Sequence, residues 1–522
     1  MAQGSRSWRG PGATAEPGLW DGRSRSVPGL DAVHVPWCVV TKPTTTLTSA
    51  QRTAVRHLLR IAPVADELAT RFTTAGHEIA LVGGSVRDAL LDRLGSDLDL
   101  TTSAHPDETK RLLTGWADHL WDVGQAYGTI GAQKGRFQIE ITTYRSDSYD
   151  RSSRKPAVAY GESLYDDLVR RDFTINAMAV RLPSREFVDP HGGLTDLVQG
   201  LITTPGTPEA SFGDDPLRMF RAARFAAQLG FEVAPAVVSA MRDMSDRISI
   251  VSAERIRDEL SKLLLASRPR PGLTLLVDTG LAQRILPELP ALRLEIDEHH
   301  RHKDVYEHSL MVLEQAIELE LRLPDGGPDL VTRLAALLHD IGKPRTRRFE
   351  PGGGVSFYHH DIVGAKLARK RLTRLRFPGA VVDDVARLVE LHLRFHGYSG
   401  GEWTDSAVRR YVRDAGHLLD RLHVLTRADC TTRNKRKADA LQRAYDNLEE
   451  RIARLAEEEE LAAMRPDLDG NEIMKILGID PGPTVGKARQ FLLELRLDRG
   501  PLGPEAARDE LLRWWEAQDG QS

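Results

Sequence analysis

Two kinds of hydrophobic pattern divide this chain. Between about residues 50 and 205, short apolar runs alternate with segments of helical spacing. Residues 78–82 form an apolar run that ends at a glycine pair, and residues 137–144 alternate between apolar and polar side chains. Both patterns are typical of strands, fully buried in the first case and half-buried in the second. From about residue 206 onward the pattern becomes strongly helical.

The predicted fold is an α+β head, a sheet with helices, followed by mostly helical domains. Apolar spacing over residues 54–59, after an N-cap at 48–51, predicts the first helix. Residues 1–44 are rich in Gly, Ser, Pro and Arg, which favours disorder, although a misassigned translation start would also explain them. The predicted segments are a disordered extension (1–44), the head (45–205), a helical neck (206–296), a histidine-rich block (297–435) and a helical body and tail (436–522).

The composition is that of a soluble globular protein. Of 522 residues, 41% are hydrophobic and 28% charged, and the net charge is −4. Any binding of nucleic acid must therefore come from local basic patches. The two cysteines, Cys38 and Cys430, lie far apart, which argues against a disulfide scaffold and favours a reducing cytoplasm. The sequence shows neither an apolar run long enough for a membrane span nor a secretory signal, so no membrane partner is expected.

An Asp-x-Asp pair follows a glycine-rich segment. Asp97 and Asp99 are two positions apart, so an extended strand turns both carboxylates to one face. Two converging carboxylates repel each other unless a cation lies between them, and magnesium prefers such oxygen ligands. Residues 83–88, Gly-Gly-Ser-Val-Arg-Asp, can form a turn that cradles a triphosphate. The combination indicates nucleotidyl transfer, in which a hydroxyl attacks an α-phosphate and pyrophosphate leaves.

These features also have structural explanations. An isolated Asp-x-Asp is most often a solvated turn, and a glycine pair is common in tight turns. Glu140 shares a strand face with Gln138 and Thr142. It is either a third acid near the metal site or a surface glutamate.

Two further segments carry regularly placed arginines. Arg170 and Arg171 present forks of donors suited to phosphate, while Asn176 can donate to a ribose hydroxyl or hold a backbone turn. Asp215 then begins a three-residue repeat along one side of a predicted helix, and the members that follow are Arg218, Arg221 and Arg224. An Asp-Arg pair can read the edge of a base, and a row of arginines needs a nearby anion. The alternatives are a helix cap with a surface ion pair, and an exposed basic face. The apolar residues predicted to lie toward the other side of the helix are Leu217, Phe220 and Phe225.

In this order the three segments resemble the signature of class II tRNA nucleotidyltransferases. These are the CCA-adding enzymes and related bacterial poly(A) polymerases, within the polymerase-β-like superfamily. The likeness covers roughly residues 50–265 and includes a later helix at 254–260. It implies that Asp97 and Asp99 ligate two magnesium ions, with Glu140 as the candidate third acid.

The resemblance also implies nucleotide-binding residues in each segment. Triphosphate contacts are expected in the glycine segment, sugar or phosphate contacts in the second, and base selection by Asp215 and Arg218 in the third. The residues concerned are Gly83, Gly84, Ser85, Arg87, Arg170, Arg171, Asn176, Asp215, Arg218, Arg221 and Arg224. One departure from the family is Asp214, where a glutamate is common, which puts the role of this acid in doubt.

Full CCA addition to the acceptor end of tRNA, from CTP and ATP, is the expected activity. Residues 149–156 are polar, basic and turn-prone, which suits the flexible loop of full CCA enzymes. Enzymes that add only CC resemble this family but lack the loop. The arginine-rich segment expected near 131–138 in the poly(A) branch is not found. A poly(A) polymerase is the alternative.

The histidine-rich block indicates a second chemistry. His339 and Asp340 are adjacent in the segment HDIGKP, where they can offer a nitrogen and an oxygen to one metal. With His308 before them and Asp429 after them, they resemble the HD phosphohydrolase superfamily. This implies hydrolysis of phosphate esters with a divalent transition metal or magnesium. The candidates for a second metal are His359 or His360, and His392; the histidines expected to be surface or capping residues are His299, His300, His302 and His396.

Two other classes stay open: a phosphohydrolase with an inactive transferase head, and an RNA-binding scaffold. The C-terminal region resembles the part that grips tRNA in this family. Its candidate contacts are the basic segment 433–437, residues 469–474, and the turn 481–486 with the helix N-terminus that follows it. The sequence leaves monomer and homodimer equally open.

Overall fold

The computed structural model describes residues 49, 53, 63–93, 95–122, 128–145, 163–294, 304–351, 355–395, 403–430, 435–459 and 466–519. The predicted extension 1–44, the expected loop 149–156 and most of the first predicted helix lie outside the described residues. Among the helices in these ranges, none combines the length and apolarity that crossing a bilayer requires.

A seven-stranded mixed sheet forms the head. Its strands, in chain order, are β1 (Ile79–Val82), β2 (Asp97–Thr102), β3 (His119–Trp121), β4 (Thr129–Lys134), β5 (Phe137–Thr143), β6 (Ala179–Leu182) and β7 (Phe187–Val188). Their spatial order is β3-β4-β5-β2-β1-β6-β7, with β2 and β5 parallel and the other neighbours antiparallel. The two strands predicted from the hydrophobic pattern are confirmed as β1 and β5. Every residue of β1 is buried, as a continuous apolar run between two neighbours requires.

Helices pack against this sheet. They are α1 (Pro63–Thr74), α2 (Gly83–Leu90), α3 (Pro106–Leu113), α4 (Leu164–Val169) and α5 (Gly193–Gln199). In α1 the buried residues Val64, Leu68 and Phe72 recur every four positions, so one face of the helix lies in the core.

From residue 208 the described chain is almost entirely helical. The helices are α6 (Pro208–Asp214), α7 (Leu217–Leu229), α8 (Pro235–Asp243), α9 (Ala253–Leu264), α10 (Arg270–Asp278), α11 (Leu281–Ile285), α12 (Glu288–Ala291), α13 (Val305–Leu319), α14 (Leu330–Leu338), α15 (Lys343–Thr346), α16 (His360–Arg374), α17 (Gly379–Leu391), α18 (Asp405–Ala415), α19 (Leu419–Asp429), α20 (Lys435–Glu459), α21 (Gly470–Leu477), α22 (Pro483–Arg499) and α23 (Pro504–Asp519). Two short strand pairs interrupt them: β8 (Leu201–Ile202) with β9 (Glu232–Val233), and β10 (Arg348–Phe349) with β11 (Val355–Ser356). The predicted α+β head followed by helical regions is confirmed.

One hydrophobic core runs from the sheet through the helices to α20. Helix α20 packs on α19. The ring of Tyr445 stacks on Phe395 with centroids 3.5 Å apart, and its hydroxyl donates to the carbonyl of Thr426 at 2.6 Å. Helices α21–α23 enclose a separate small core, whose members are Leu468, Ile473, Ala488, Leu492, Ala507 and Leu511.

Arg333 joins α14 to the end of α9. It is 4% exposed and donates to the carbonyls of Leu264 at 2.6 Å and Ala266 at 2.7 Å. The same guanidinium binds both carboxylate oxygens of buried Glu320 at 2.7 Å. The last carbonyls of a helix lack intrahelical donors and carry partial negative charge, so Arg333 satisfies the C-terminus of α9.

Substitution Arg333→Met should destabilise the protein strongly, because it leaves the carboxylate of Glu320 buried without its cation. We expect a loss of about 3–5 kcal/mol in the free energy of unfolding. The exposed pair of Arg369 with Asp383 supplies a matched control, and Arg369→Met should cost no more than about 1 kcal/mol. Urea denaturation followed by far-UV circular dichroism measures both variants. Equal, small losses of unfolding free energy in the two variants would show that Arg333 does not stabilise the contact between α14 and α9.

Candidate active site and metal centre

The glycine pair lies where β1 ends and α2 begins. Gly83 has a φ of +65°, in the left-handed region that favours glycine. A Cβ at Gly83 would lie 2.8 Å from Nη1 of Arg171, and one at Gly84 would lie 3.2 Å from Oδ2 of Asp99. The glycines therefore let Arg171 and Asp99 approach the backbone. The predicted turn is the first turn of a helix, whose free amides suit an anion.

Three carboxylates lie on the neighbouring parallel strands β2 and β5. Asp97 begins β2, and Asp99 is in register with Glu140, so the side chains share one face. Burial raises the pKa of Asp99; Arg171 and Arg87 oppose this shift, and Asp97 adds to it. Desolvation by the surrounding protein, followed by the charges of Asp99 and Asp97, raises the pKa of Glu140. This crowded all-oxygen donor set fits magnesium.

Ser85 holds β2 against α2. Its Oγ accepts from the amide of Asp99 at 2.7 Å and donates to the carbonyl of Asp97 at 3.2 Å. The residue is buried. Here the serine predicted to contact a triphosphate positions the two aspartates.

A buried chain of hydrogen bonds connects the three sequence motifs. Arg87 donates from Nη1 to Asn176 at 2.7 Å, and Nδ2 of Asn176 donates to Asp172 at 3.0 Å. Asp172 pairs with Arg221 at 2.7 Å. Although burial opposes ionisation, Arg221 and Asn176 lower the pKa of Asp172 to about 2. The side chain of Asn176 therefore connects the first motif to the second, and Asp172 connects the second to the third.

Asp167 anchors the arginine pair. Its buried carboxylate lies 2.7 Å from Nη2 of Arg170 and 2.9 Å from Nη2 of Arg171. Burial opposes ionisation, but Arg171 and Arg170 outweigh it and lower the pKa of Asp167. Sequence reasoning missed this residue. Its spacing of three and four positions from the two arginines was a visible signal, because such residues are neighbours on a helix.

Two of the three arginines in the α7 row are neutralised by carboxylates within the protein. Arg221 pairs with Asp172, and Arg224 pairs with buried Glu259 of α9 at 2.5 Å. Buried carboxylates therefore supply the predicted anions for Arg221 and Arg224. Glu259 lies in the later family helix but was not given a role from the sequence.

Asp215 and Arg218 lie at the start of α7. Asp215 accepts from the amide of Leu217 at 3.1 Å and pairs with Arg255 of α9 at 2.6 Å. Arg218 donates to Oγ of Ser211 at 2.9 Å and to the carbonyl of Arg170. Sequence reasoning missed Arg255, which carries the cation facing Asp215.

Phe225 lies among the arginines, so its predicted position on the opposite side of α7 is wrong. Its ring centroid is 4.1 Å from the guanidinium of Arg224, 5.1 Å from Arg87 and 5.8 Å from Arg221. Residues 221 and 225 are about one helical turn apart and share a face. The residue is buried, as predicted, and its ring stabilises the adjacent cations.

Six potential metal ligands meet in the histidine-rich region. Two groups have ligand atoms within 4.8 Å of one another: His308, His339 and Asp429, and Asp340, His360 and His392. Nε2 of His308 lies 3.0 Å from Asp429 and 3.3 Å from Nε2 of His339. Asp340 faces both groups, because its Oδ2 is 3.2 Å from His339 and its Oδ1 is 3.4 Å from His360. These nitrogen and oxygen donors fit divalent metal, which the two groups would hold with Asp340 facing both.

In three of the histidines, contacts with backbone carbonyls determine which ring nitrogen faces the cluster. Nδ1 of each lies within hydrogen-bonding distance of a carbonyl three residues earlier; the pairs are His339 with Ala336 at 2.8 Å, His360 with Phe357 at 2.9 Å and His392 with Val389 at 2.6 Å. Such bonds place the proton on Nδ1 and leave Nε2 for a metal.

His392 tests whether this cluster fits a metal. Burial, reinforced by His339, lowers the pKa of His392 to about 3, so the ring is neutral at physiological pH. Its buried Nε2 has no hydrogen-bond partner among the described residues. A buried acceptor without a donor destabilises the folded protein unless it binds a metal ion instead. Of the two candidates at 359 and 360, His360 is buried in the cluster and His359 is exposed. The histidines at 299, 300, 302 and 396 lie outside the described residues.

Comparisons with known proteins agree with this geometry. The Poly A polymerase head domain model matches residues 79–203, a model described as the probable RNA and SrmB-binding site of polymerase A matches 230–292, and the HD domain model matches 305–460. The A-adding tRNA nucleotidyltransferase of Deinococcus radiodurans is 37% identical, over 84% of this chain and 96% of its own length. The chain belongs to the tRNA nucleotidyltransferase family. The family predicted from the three motifs is thereby confirmed.

Members with different activities share this sequence likeness. The CC-adding tRNA nucleotidyltransferase of Thermus thermophilus is 32% identical over 84% of this chain and 94% of its own length. The CCA-adding enzyme of Streptococcus gordonii is 39% identical over 44% of this chain and 56% of its own length. The crystal structure of the Bacillus stearothermophilus CCA-adding enzyme in complex with CTP has a TM-score of 0.60 at 23% identity, covering 91% of this chain and all of that one. At this identity the structural likeness shows the fold alone.

We call the six ligand candidates His308, His339, Asp340, His360, His392 and Asp429 the HD cluster. Substitution His392→Ala should reduce its metal content, because it removes a neutral nitrogen from one of the two ligand groups. We expect the wild-type protein to retain two transition-metal ions per chain after loading with manganese and gel filtration, and the variant at most one. The exposed neighbour supplies the control, since His359→Ala should retain both. Inductively coupled plasma mass spectrometry measures the content. Equal metal in all three proteins would exclude His392 as a ligand.

Proposed function

We propose that this protein adds CCA to the 3′ end of tRNA from CTP and ATP, without a nucleic-acid template, in the cytoplasm. The observation that carries the proposal is the convergence of Asp99 on the Gly83–Gly84 backbone and Arg171, with Glu140 in register beside it. This arrangement puts oxygen ligands for metal next to donors for a triphosphate. Membership in a family of tRNA nucleotidyltransferases supports the choice of acceptor.

The residues divide the work of nucleotidyl transfer. The amides at the start of α2 and the guanidinium of Arg171 would bind the triphosphate, with the α-phosphate facing the carboxylates. Asp97, Asp99 and Glu140 would hold two magnesium ions, which when bound supply Lewis-acid stabilisation of the attacking and leaving oxygens. The 3′-hydroxyl of tRNA then attacks the α-phosphate, and pyrophosphate departs. Arg87 and Arg170 support this region through Asn176 and Asp167.

Base selection is assigned to Asp215 and Arg218. Together they offer acceptors and donors that can read the edges of cytosine and adenine. Arg255 holds both carboxylate oxygens of Asp215, at 2.6 and 3.3 Å, so an incoming base has to share or replace this cation. Arg221 and Arg224 play a supporting part, because Asp172 and Glu259 already neutralise them.

Full CCA addition is the activity that the sequence favours, through the loop expected at residues 149–156. Relatives that match most of the chain include one A-adding and one CC-adding enzyme, so partial addition is a second candidate. Poly(A) synthesis is a third. The segments at 45–205, 206–296 and 436–522 are proposed as head, neck and tRNA-binding body and tail. The basic segment 433–437 lies partly outside the described residues.

A second activity is proposed for the HD cluster, over residues 297–435. The two ligand groups sharing Asp340 favour hydrolysis of a phosphate ester, with water activated by magnesium or a divalent transition metal. The orphaned Nε2 of His392 supports a loaded centre rather than a retained fold alone.

Reciprocal substitutions test both assignments. Asp97→Asn should reduce incorporation of labelled CMP and AMP into tRNA by roughly 100- to 1,000-fold, because it removes several kcal/mol of charge stabilisation. It should leave manganese-dependent hydrolysis of bis-p-nitrophenyl phosphate intact. Asp340→Asn should do the reverse, since it removes the carboxylate that faces both ligand groups of the other cluster.

Asp107→Asn serves as control for the head, because this acid is exposed and lies outside the proposed site. Incorporation by Asp97→Asn at the level of this control would contradict transfer at the carboxylate group. Loss of both activities in Asp340→Asn would contradict two independent centres.

A further inference from the structure

An exposed hairpin connects two stretches that carry ligands of the HD cluster. We call residues 343–351 and 355–358 the rim hairpin. It begins three positions after Asp340 and ends two positions before His360. Within it, β10 and β11 pair Arg348 with Ser356 and Phe349 with Val355.

The rim hairpin begins against the metal cluster. Nζ of Lys343 lies 3.0 Å from Oδ2 of Asp340 and 5.6 Å from the ring centroid of Phe357. The carbonyl of Phe357 bonds to Nδ1 of His360. Tyr358 lies two residues from His360, so their Cα atoms are within about 7 Å of each other. Any molecule bound along the hairpin therefore has one end near the cluster.

The outer surface of the hairpin is aromatic and basic. Phe349 is 75% exposed and Tyr358 is 66% exposed. The guanidinium of Arg347 lies 4.7 Å from the ring centroid of Phe349. Arg345 and Arg348 are exposed, and neither forms an ion pair with another described residue. The ring of Phe349 with the guanidinium of Arg347 over it is an exposed apolar surface bordered by cations, and surfaces of this kind mark interaction sites.

The excess of cations on the rim hairpin indicates which class of molecule binds it. Three arginines, Arg345, Arg347 and Arg348, lie on the hairpin surface, whereas the acids in the described part of 343–361 are Glu350 and Asp361; Lys343 is buried against Asp340. A polyanion complements this surface better than an apolar protein face does. Among polyanions, single-stranded RNA presents unstacked bases that stack on aromatic rings and arginine planes, together with phosphates that bind arginine. A duplex hides its bases and would leave the two rings unused.

We propose that the rim hairpin binds single-stranded RNA, with bases stacked on Phe349 and Tyr358 and phosphates bound by Arg345 and Arg348. The site is separate from the transferase residues of the head. It requires neither nucleotide transfer nor hydrolysis, so it goes beyond both proposed activities.

Fluorescence anisotropy with the full-length protein tests this surface. The probe is an unstructured, labelled RNA of about a dozen nucleotides, with a 3′-phosphate that prevents extension, in buffer containing EDTA. The double variant Phe349→Ala, Tyr358→Ala should bind it roughly tenfold more weakly or worse, because each ring stacks a base. Its salt dependence should match that of the wild type.

The second variant, Arg345→Gln with Arg348→Gln, should change the salt dependence. Each phosphate contact on a single strand contributes about 0.7 to the slope of log K against log salt, so two lost contacts should lower the slope by about 1.4. If the arginine variant is folded, an unchanged slope would overturn the phosphate assignment, whatever the result for the aromatic variant. Thermal unfolding checks that each variant is folded.

A control variant separates the hairpin from general surface effects. Leu321, 83% exposed, and Arg374, exposed at the C-terminal end of α16, are not part of the hairpin. Leu321→Ala with Arg374→Gln should retain wild-type affinity and slope. Hairpin variants that bind within roughly twofold of this control would overturn the proposal, as would preference for an acidic peptide or duplex RNA over the single strand. Transfer by the wild type is measured separately, so failure of either proposal is distinguishable.

Discussion

The ion pair between Asp172 and Arg221, at 2.7 Å, connects the helix α7 to the residues that face the triphosphate region. Asp172 also accepts from Asn176, and Asn176 accepts from Arg87. A continuous chain of hydrogen bonds therefore connects Arg221 to Arg87. The buried carboxylates of Asp167 and Glu259 hold further arginines in the same way. Donors fixed before the substrate arrives need little reorganisation during the reaction, which is the main source of electrostatic stabilisation in enzymes.

The HD cluster follows a different electrostatic design, in which two carboxylates and four imidazole rings crowd together and His392 leaves a buried acceptor for metal. The two regions are linked through one helix. α9 carries Arg255 and Glu259, which face the α7 residues, and its last carbonyls are bound by Arg333 of α14. His339 directly follows α14. The contact of α9 with α14 thus lies between the proposed nucleotide-selecting residues and the beginning of the metal cluster, and Glu320 with two carbonyls offsets the desolvation of Arg333.

The sequence predicted β1, β5 and the Asp97–Asp99 strand, because β1 is a continuous apolar run, β5 alternates apolar and polar residues, and Asp97 and Asp99 are two positions apart; the short strands β3, β7, β8, β9, β10 and β11 were not predicted. It predicted poorly what depends on long-range pairing. Asp172 and Arg221 are 49 positions apart, and no local pattern shows that they meet. The position of Phe225 was misjudged because a three-residue repeat was followed without allowing for the 3.6-residue turn. Arg255 faces Asp215 through tertiary packing of α7 on α9, which periodicity alone does not contain.

The central claim is that one set of residues, Asp215 and Arg218, accepts both CTP and ATP and completes the CCA end. The most direct measurement is the product length on a gel when tRNA lacking its last three nucleotides is incubated with magnesium and CTP, ATP or both. We expect extension that stops after three nucleotides only when both are present, and addition of a single A to tRNA ending in CC. Products that stop at CC with both nucleotides, a long A tail from ATP alone, or addition of A alone would each contradict it.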